Sequence, residues 1–300
     1  MQRTTYLATV LTVGALTLAG CGSSSLDSGS SSAGKGGKVD ASKDAAAAKL
    51  VPSAIAKKGT LTVGSDASYA PSEFLGGDGK TIQGFDVDLF TAVGKKLGLK
   101  VKFTNASFDS IITGVQGGKY DVGVSSFTIN ADRLKQVNMV SYFNAGTQWA
   151  SAPGNPKKVD PNKPCGATVA VQKGTVQQET DLPPKVKACA GSGKPLKILV
   201  YTGQDQATAA VASGKADAML ADSPVVAYAV KQSKGKVEAL GKIYDAAPYG
   251  YVVPKKDKPL AEAIVAALKS LQSDGGYAKA LKAWGVDQGA ISDPTVNPAP

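Results

Sequence analysis

Gly118-Lys119-Tyr120-Asp121-Val122-Gly123-Val124-Ser125-Ser126 recurs further along the chain as Gly214-Lys215-Ala216-Asp217-Ala218-Met219-Leu220-Ala221-Asp222. Each copy follows a short helical stretch, residues 109–116 in the first and 206–212 in the second, and each runs on into a short apolar strand. The Gly-Lys pair closes the helix. Glycine takes the left-handed position after the last turn, and lysine complements the negative helix end. The chain therefore reads as two similar α/β units. In such units ligands bind beyond the carboxyl ends of the strands. The first copy brings hydroxyls to that edge, Ser125 and Ser126, and the second a carboxylate, Asp222. Two facing lobes with these different polar groups describe a clamp around something small and zwitterionic.

Upstream of the first copy, Leu61-Thr62-Val63-Gly64 reads as a strand leading into Ser65-Asp66-Ala67-Ser68-Tyr69-Ala70-Pro71, with a turn at Gly79-Lys80. A helix follows Gly84, because Phe85, Leu89, Phe90, Val93 and Leu97 fall on one face. Asp86 and Asp88 sit in its first turn, Lys95 and Lys96 in its last, and Gly98 stops it. Residues 101–103 form the next strand. Near the far end, Asp257-Lys258-Pro259 opens an amphipathic helix through Leu271, broken at Asp274-Gly275-Gly276, and a last helix reaches Trp284-Gly285. The tail, residues 292–300, holds three prolines and reads as loose.

The start of the chain is an export signal: Arg3, then an apolar run over residues 7–18, too short to span a membrane comfortably. It ends in Leu18-Ala19-Gly20-Cys21, which resembles a bacterial lipoprotein processing box. That likeness makes residues 1–20 a signal peptide and Cys21 a lipidated first residue. A diacylated cysteine anchors stably where one acyl chain does not. The alternative is a plain secreted protein with an incidental cysteine. Residues 23–38 are rich in Ser and Gly and cannot bury a core. A flexible linker is expected over residues 21–50, with a helical turn at 45–48.

The rest of the chain suits two domains of ordinary size. Its formal net charge is +10, and removing Arg3 with the signal leaves +9. The lysines are scattered with no basic aromatic stripe, so a nucleic-acid partner is not expected. With Cys21 assigned to the anchor, Cys165 and Cys189 remain in an exported chain, where oxidation is expected. A disulfide between them would stabilise by about 3 kcal/mol through loop-closure entropy; two buried free thiols are the alternative. The chain has no histidine, which excludes Ser–His and Cys–His nucleophile systems and makes a metal site remote. No cofactor is expected.

Gly84-Phe85-Asp86-Val87-Asp88-Leu89 resembles the signature of extracellular solute-binding proteins of family 3, the polar amino-acid receptors of ABC importers. Further blocks agree in order and spacing: Ser107-Phe108-Asp109, residues 121–133, Val169-Ala170-Val171-Gln172-Lys173-Gly174-Thr175, residues 217–224 and Tyr249-Gly250-Tyr251-Val252-Val253. The chain is similar to the lysine/arginine/ornithine and glutamine receptors in particular. The resemblance implies an α/β, two-lobed periplasmic-binding-protein (Venus flytrap) fold. Each lobe would be a mixed sheet flanked by helices, with a two-strand hinge near residues 144–149 and 245–250. Lobe 1 would take residues 51–146 and 248–300, and lobe 2 residues 147–247.

The resemblance also assigns a pocket. Arg133, seven positions after Ser126, corresponds to the arginine that forks onto a ligand α-carboxylate, for which a planar, permanently charged guanidinium is suited. Ser126 and Thr128 would add hydroxyl or backbone N–H bonds, with Ser125 beside them. Asp222 matches the acid that receives the α-ammonium group. On its own it also reads as a helix N-cap before Ser223-Pro224. Gly174-Thr175 would offer backbone N–H groups to the same carboxylate. Val176 stands where the family often has a second Thr or Ser. Tyr69 and Phe108 match the aromatics that sandwich the ligand side chain, though alone they read as core. Asp66 and Gln172 would lie at the side-chain end, and Asp66 alone reads as a turn cap.

This reading gives a monomeric receptor, lipid-anchored at the outer face of the cell membrane, that closes on a basic or neutral polar amino acid. Its partners would be an ABC permease and an ATPase subunit, and it would not be an enzyme. The rivals are an enzyme on the same fold, such as a dehydratase of cyclic amino-acid precursors, and a ligand-sensing ectodomain.

Overall fold

The structure, a computed structural model, describes residue 37 and residues 39–299. The signal peptide, Cys21 and most of the expected linker lie outside the described residues.

The chain begins with α1 (Ala45–Lys49), α2 (Ser53–Lys58), β1 (Thr60–Ser65), β2 (Ser68–Tyr69), β3 (Glu73–Leu75), β4 (Ile82–Gln83), α3 (Phe85–Leu97), β5 (Lys100–Asn105), α4 (Phe108–Gln116), β6 (Val122–Gly123) and α5 (Ala131–Gln136). The middle holds β7 (Asn138–Ser151), β8 (Thr168–Gln172), a π-helical turn (Gln177–Asp181), α6 (Leu182–Ala190), β9 (Lys197–Tyr201), α7 (Gln204–Ala212) and β10 (Ala218–Asp222). It closes with α8 (Ser223–Gln232), β11 (Glu238–Val253), α9 (Lys258–Ser273) and α10 (Gly276–Trp284).

One sheet carries both lobes, in the order β5-β1-β6-β11-β7-β10-β8-β9. The two ends are built alike. β1 pairs in parallel with β5 and β6, and β8 with β9 and β10. Here the repeat shows its physical content. Gly118 and Gly214 sit at φ 75° and 74°, just beyond α4 and α7, in the left-handed conformation that only glycine adopts freely. The aspartates of the two copies also play one part. Asp121 accepts the N–H of Thr62 at 2.6 Å and Asp217 that of Thr168 at 2.8 Å, so each carboxylate ties its turn to the start of the neighbouring strand.

Between the two ends run β7 and β11, antiparallel from Asn138–Val253 to Ser151–Glu238. They are the only strands long enough to serve both lobes among the described residues. Their register slips between Leu240 and Tyr244, between Tyr244 and Ala247, and between Tyr249 and Gly250. The second and third breaks fall in the expected hinge segment of β11, and the first lies just before it, opposite residues 147–149 of β7.

Lobe 1 buries α3 by the predicted face: Phe85, Leu89, Phe90 and Val93 are fully buried, packed with α9 and α10. Gly98, at φ 71°, stops α3. In lobe 2, Trp149, Val169, Val171 and Leu220 form a second core. Cys165 and Cys189 are joined there as a disulfide, with Cα atoms 5.1 Å apart.

Two expectations are corrected. The flexible linker does not extend to residue 50: Val39 and Ala47 are buried in the lobe 1 core, and Asp44 caps α1 while accepting a hydrogen bond from Ser270. Two apolar side chains and one good N-cap suffice to dock this stretch on α3 and α9. The tail is not loose either. Ser141 donates its N–H to Thr295 and Asn297 donates its own to Met139, and Val296 bridges Val140. β10 pairs only with residues 147–151 of β7, so the tail covers the edge left beside residues 139–141.

Candidate functional site

A cavity lies where the lobes meet, lined by Tyr69, Phe108, Ser126, Thr128 and Arg133 from lobe 1 and Gln172, Thr175, Val176, Gln177 and Asp222 from lobe 2. Its volume is about 10 Å³, room for about one water-sized sphere.

Arg133 is buried, on the short helix α5 that Asn130 caps by accepting its N–H at 2.8 Å. Its Nη1 donates to the Thr128 carbonyl at 2.8 Å, and its Nη2 crosses to the Gly174 carbonyl of lobe 2 at 3.0 Å. The guanidinium carbon lies 5.4 Å from the ring centres of both Phe108 and Phe127. Burial pulls the group down to about 10, which leaves it charged at neutral pH. Three of its five N–H donors remain for a ligand.

Asp222 ends β10 and begins α8, but its carboxylate does not cap that helix. It accepts from Tyr249 at 2.7 Å, Tyr69 at 2.9 Å and Gln177 at 2.7 Å. Burial pushes its carboxyl above the ordinary range, and those three donors and the Arg133 charge oppose the rise. Tyr69 comes from lobe 1, so this carboxylate also holds the lobes together. A buried cation on one lobe and a buried carboxylate on the other, in one small cavity, complement a molecule carrying both charges.

The remaining expected residues divide. Gln172 lines the cavity; its Nε2 donates to Asp66 at 3.1 Å and to the Thr202 carbonyl at 3.3 Å, and its buried Oε1 has no donor. Thr175 lines it too, though its hydroxyl donates back to the Gln172 carbonyl at 2.9 Å. Gly174 contributes a carbonyl to Arg133 and gives its N–H to Gln178 at 2.8 Å, so that N–H is not open to an anion. Phe108 stacks on Phe127 with centroids 4.5 Å apart.

Ser125 and Asp66 do not reach the cavity. Ser125 turns inward, donates to Glu73 at 3.0 Å and accepts the Asp66 N–H at 3.0 Å. Asp66 accepts four hydrogen bonds: from the Ser68 N–H and hydroxyl, the Phe108 N–H and Gln172. It is the turn cap, extended into a strap between lobes. Burial pushes its carboxyl up, and the Ser68 and Phe108 donors oppose that. Gln177, Tyr249, Thr147 and Val176 complete the site beyond the expected residues. Gln177 donates to Thr147 at 3.0 Å as well as to Asp222. No sequence signal marks Gln177, whose role depends on the π-helical turn.

The sequence matches, over residues 61–287, the family described as bacterial extracellular solute-binding proteins, family 3. The chain belongs to that family. An arginine-binding protein of Corynebacterium glutamicum is 37% identical over 252 residues, covering 84% of this chain and 82% of that one. Among solved structures, an ancestral arginine-binding protein bound to arginine superposes with a TM-score of 0.71 at 34% identity, covering 76% of this chain and 98% of that chain. An ancestral arginine-binding protein bound to glutamine gives 0.69 at 35% identity, with the same coverage. The two-lobed fold is that of the family, and family members are extracellular solute receptors. Among the described residues no helix is long and apolar enough to cross a membrane.

Proposed function

We propose that this chain is the amino-acid receptor of an ABC importer and that L-arginine is its ligand. The observation that carries the reading is the placement of Arg133 and Asp222 in one cavity, buried and on opposite lobes. A ligand α-carboxylate takes the free N–H groups of Arg133, and the α-ammonium group takes Asp222. The unpartnered Oε1 of Gln172 accepts an N–H from the side-chain end, which suits a guanidinium or an amide. Arginine is favoured over glutamine because the 37% identical relative is an arginine-binding protein.

Closure is a population shift driven by contacts made only when the lobes meet. The Tyr69–Asp222, Arg133–Gly174 and Asp66–Gln172 bonds are such contacts. Arginine enters an open state and replaces part of this network with its own bonds. A lipidated Cys21 tethers the monomer to the outer face of the membrane beside its permease and ATPase. Asp66 and Asp222 are both held by hydrogen bonds, which supports binding rather than proton transfer. Calorimetric titration with arginine, lysine, ornithine, citrulline, glutamine and glutamate tests the assignment, with arginine expected tightest. Tighter binding of glutamate, or turnover of a cyclic precursor in product analysis, contradicts it.

A further inference from the structure

Behind the Ser125–Ser126 turn, on the side away from the cavity, two carboxyl groups are buried together. Glu73 lies on β3 and Asp86 in the first turn of α3, both with 0% of their surface exposed. Gly84 permits the approach: a Cβ there would stand 2.0 Å from the Ser72 carbonyl oxygen, which accepts the Asp86 N–H at 3.0 Å. Ser125 and Ser126, neighbours in the chain, bond to Glu73 and Asp86 respectively, so the two carboxyls flank one turn, and each acts on the other's ionisation.

No lysine or arginine pairs with either among the described residues. The titratable groups facing them are Asp66 beyond β1, Tyr69 of β2, Tyr142 of β7, and Tyr249 and Tyr251 of β11. None of these is a cation. Asp86 Oδ2 accepts from the Tyr142 hydroxyl at 2.6 Å and from the N–H and hydroxyl of Ser126 at 3.2 and 3.5 Å. Glu73 Oε1 accepts from Ser125 at 3.0 Å. One oxygen on each carboxyl, Glu73 Oε2 and Asp86 Oδ1, has no donor. Two bare carboxylates side by side in a dry site, with no cation, are prohibitively unfavourable. One proton between the two unpartnered oxygens removes one charge and gives both a partner.

We propose that Glu73 and Asp86 share a single proton, with Glu73 Oε2 donating to Asp86 Oδ1, and that this pair positions the Ser125–Ser126 turn in the wall of the ligand cavity. The shared proton stands on its own; the positioning role rests on the amino-acid site proposed above. Ser126 sits at φ 50°, costly for a residue with a side chain, and its N–H bond to Asp86 holds it there. Burial first, then the neighbouring Asp86 charge, pushes Glu73 well above the usual carboxyl range; burial lifts Asp86 to about 6 despite its donors. Glu73 is thus the group that keeps the proton at neutral pH.

The sign follows by linkage. The unfolded chain releases this proton near 4.5, while the folded protein keeps it to a higher pH. Its stabilisation is complete below that value and is lost as pH rises toward the folded value. One proton taken up on folding changes the folding constant about tenfold per pH unit in that window.

Glu73→Gln is the informative variant, because its amide can donate to Asp86 and still accept from Ser125. Urea unfolding of both proteins across pH 5 to 7.5 should show a wild-type excess slope approaching about tenfold per unit. Equal slopes would overturn the shared proton. Infrared spectra of wild-type protein with ¹³C-labelled glutamate side chains should show a neutral carboxylic-acid carbonyl band at pH 7, missing in Glu73→Gln. No such band also overturns it, and this readout needs no ligand. Arginine affinity should stay within about threefold in Glu73→Gln and fall more than about tenfold in Glu73→Ala. Equal affinity in both variants would overturn the positioning role. Should Glu73→Ala fail to fold, a more than tenfold affinity loss in well-folded Glu73→Gln would overturn it instead.

Discussion

At the scale of single residues, the proposed reading puts the binding energy on Arg133 and Asp222. Arg133→Ala should leave the protein folded and cost about 2–5 kcal/mol of affinity, roughly 30- to several-thousand-fold, measured by calorimetry. Asp222 has a sign that pH can test. Its carboxyl must be ionised to hold an ammonium group, and burial raises its pKa above the ordinary 3.8. Arginine affinity should therefore weaken as pH falls, beginning above the pH where an exposed aspartate would titrate. Asp66 behaves differently from its expected role. With four donors on its carboxylate, it is not open to a cationic side chain. Asp66→Asn should weaken arginine and glutamine by similar factors and lower stability, because an amide nitrogen cannot accept from the Phe108 N–H or Gln172. A loss confined to arginine would restore the side-chain role. Arg133 drew its expected role only from the family resemblance, since alone it reads as a surface arginine, whereas Asp222 also stood out at the strand end of the repeat; what the structure adds is their burial in one cavity. Gln177 and Tyr249 were not legible, because a glutamine on a π-helical turn and a tyrosine in an apolar strand read as surface and core.

At the scale of elements, the repeat explains why the sequence was so readable. Gly118 and Gly214 mark helix ends with a conformation, and Asp121 and Asp217 mark strand starts with a hydrogen bond. Helix α3 was legible through its spacing, since its predicted face is the buried one. The two misreadings, the linker to residue 50 and the loose tail, share a cause. The linker expectation was carried past the Ser/Gly-rich residues 23–38 and the tail is proline-rich, yet residues 39–50 and the tail are each held by a few long-range bonds that composition does not reveal. The elements also give a stability prediction. Replacing Cys165 and Cys189 by serine should cost about 3 kcal/mol, read by denaturant unfolding under oxidising conditions. An unchanged midpoint would contradict a stabilising role for the bridge.

At the scale of the whole molecule, β7 and β11 make a hinge, and the bonds of the site are also the bonds between lobes. On the proposed reading, one network fixes both affinity and closure. Tyr69, Arg133 and Asp66 reach across from lobe 1 to Asp222, Gly174 and Gln172 of lobe 2. A molecule lacking either ligand charge meets one buried protein charge without its partner. Calorimetric titration of the wild-type protein with L-arginine, with agmatine, which lacks the α-carboxylate, and with the des-amino analogue of arginine tests this most directly. L-Arginine should bind, and each analogue should bind at least about 30-fold more weakly, the loss expected when one member of a buried charge pair is removed. Equal affinity for all three, or no binding of L-arginine, would contradict a cavity built around the two charges of an amino acid.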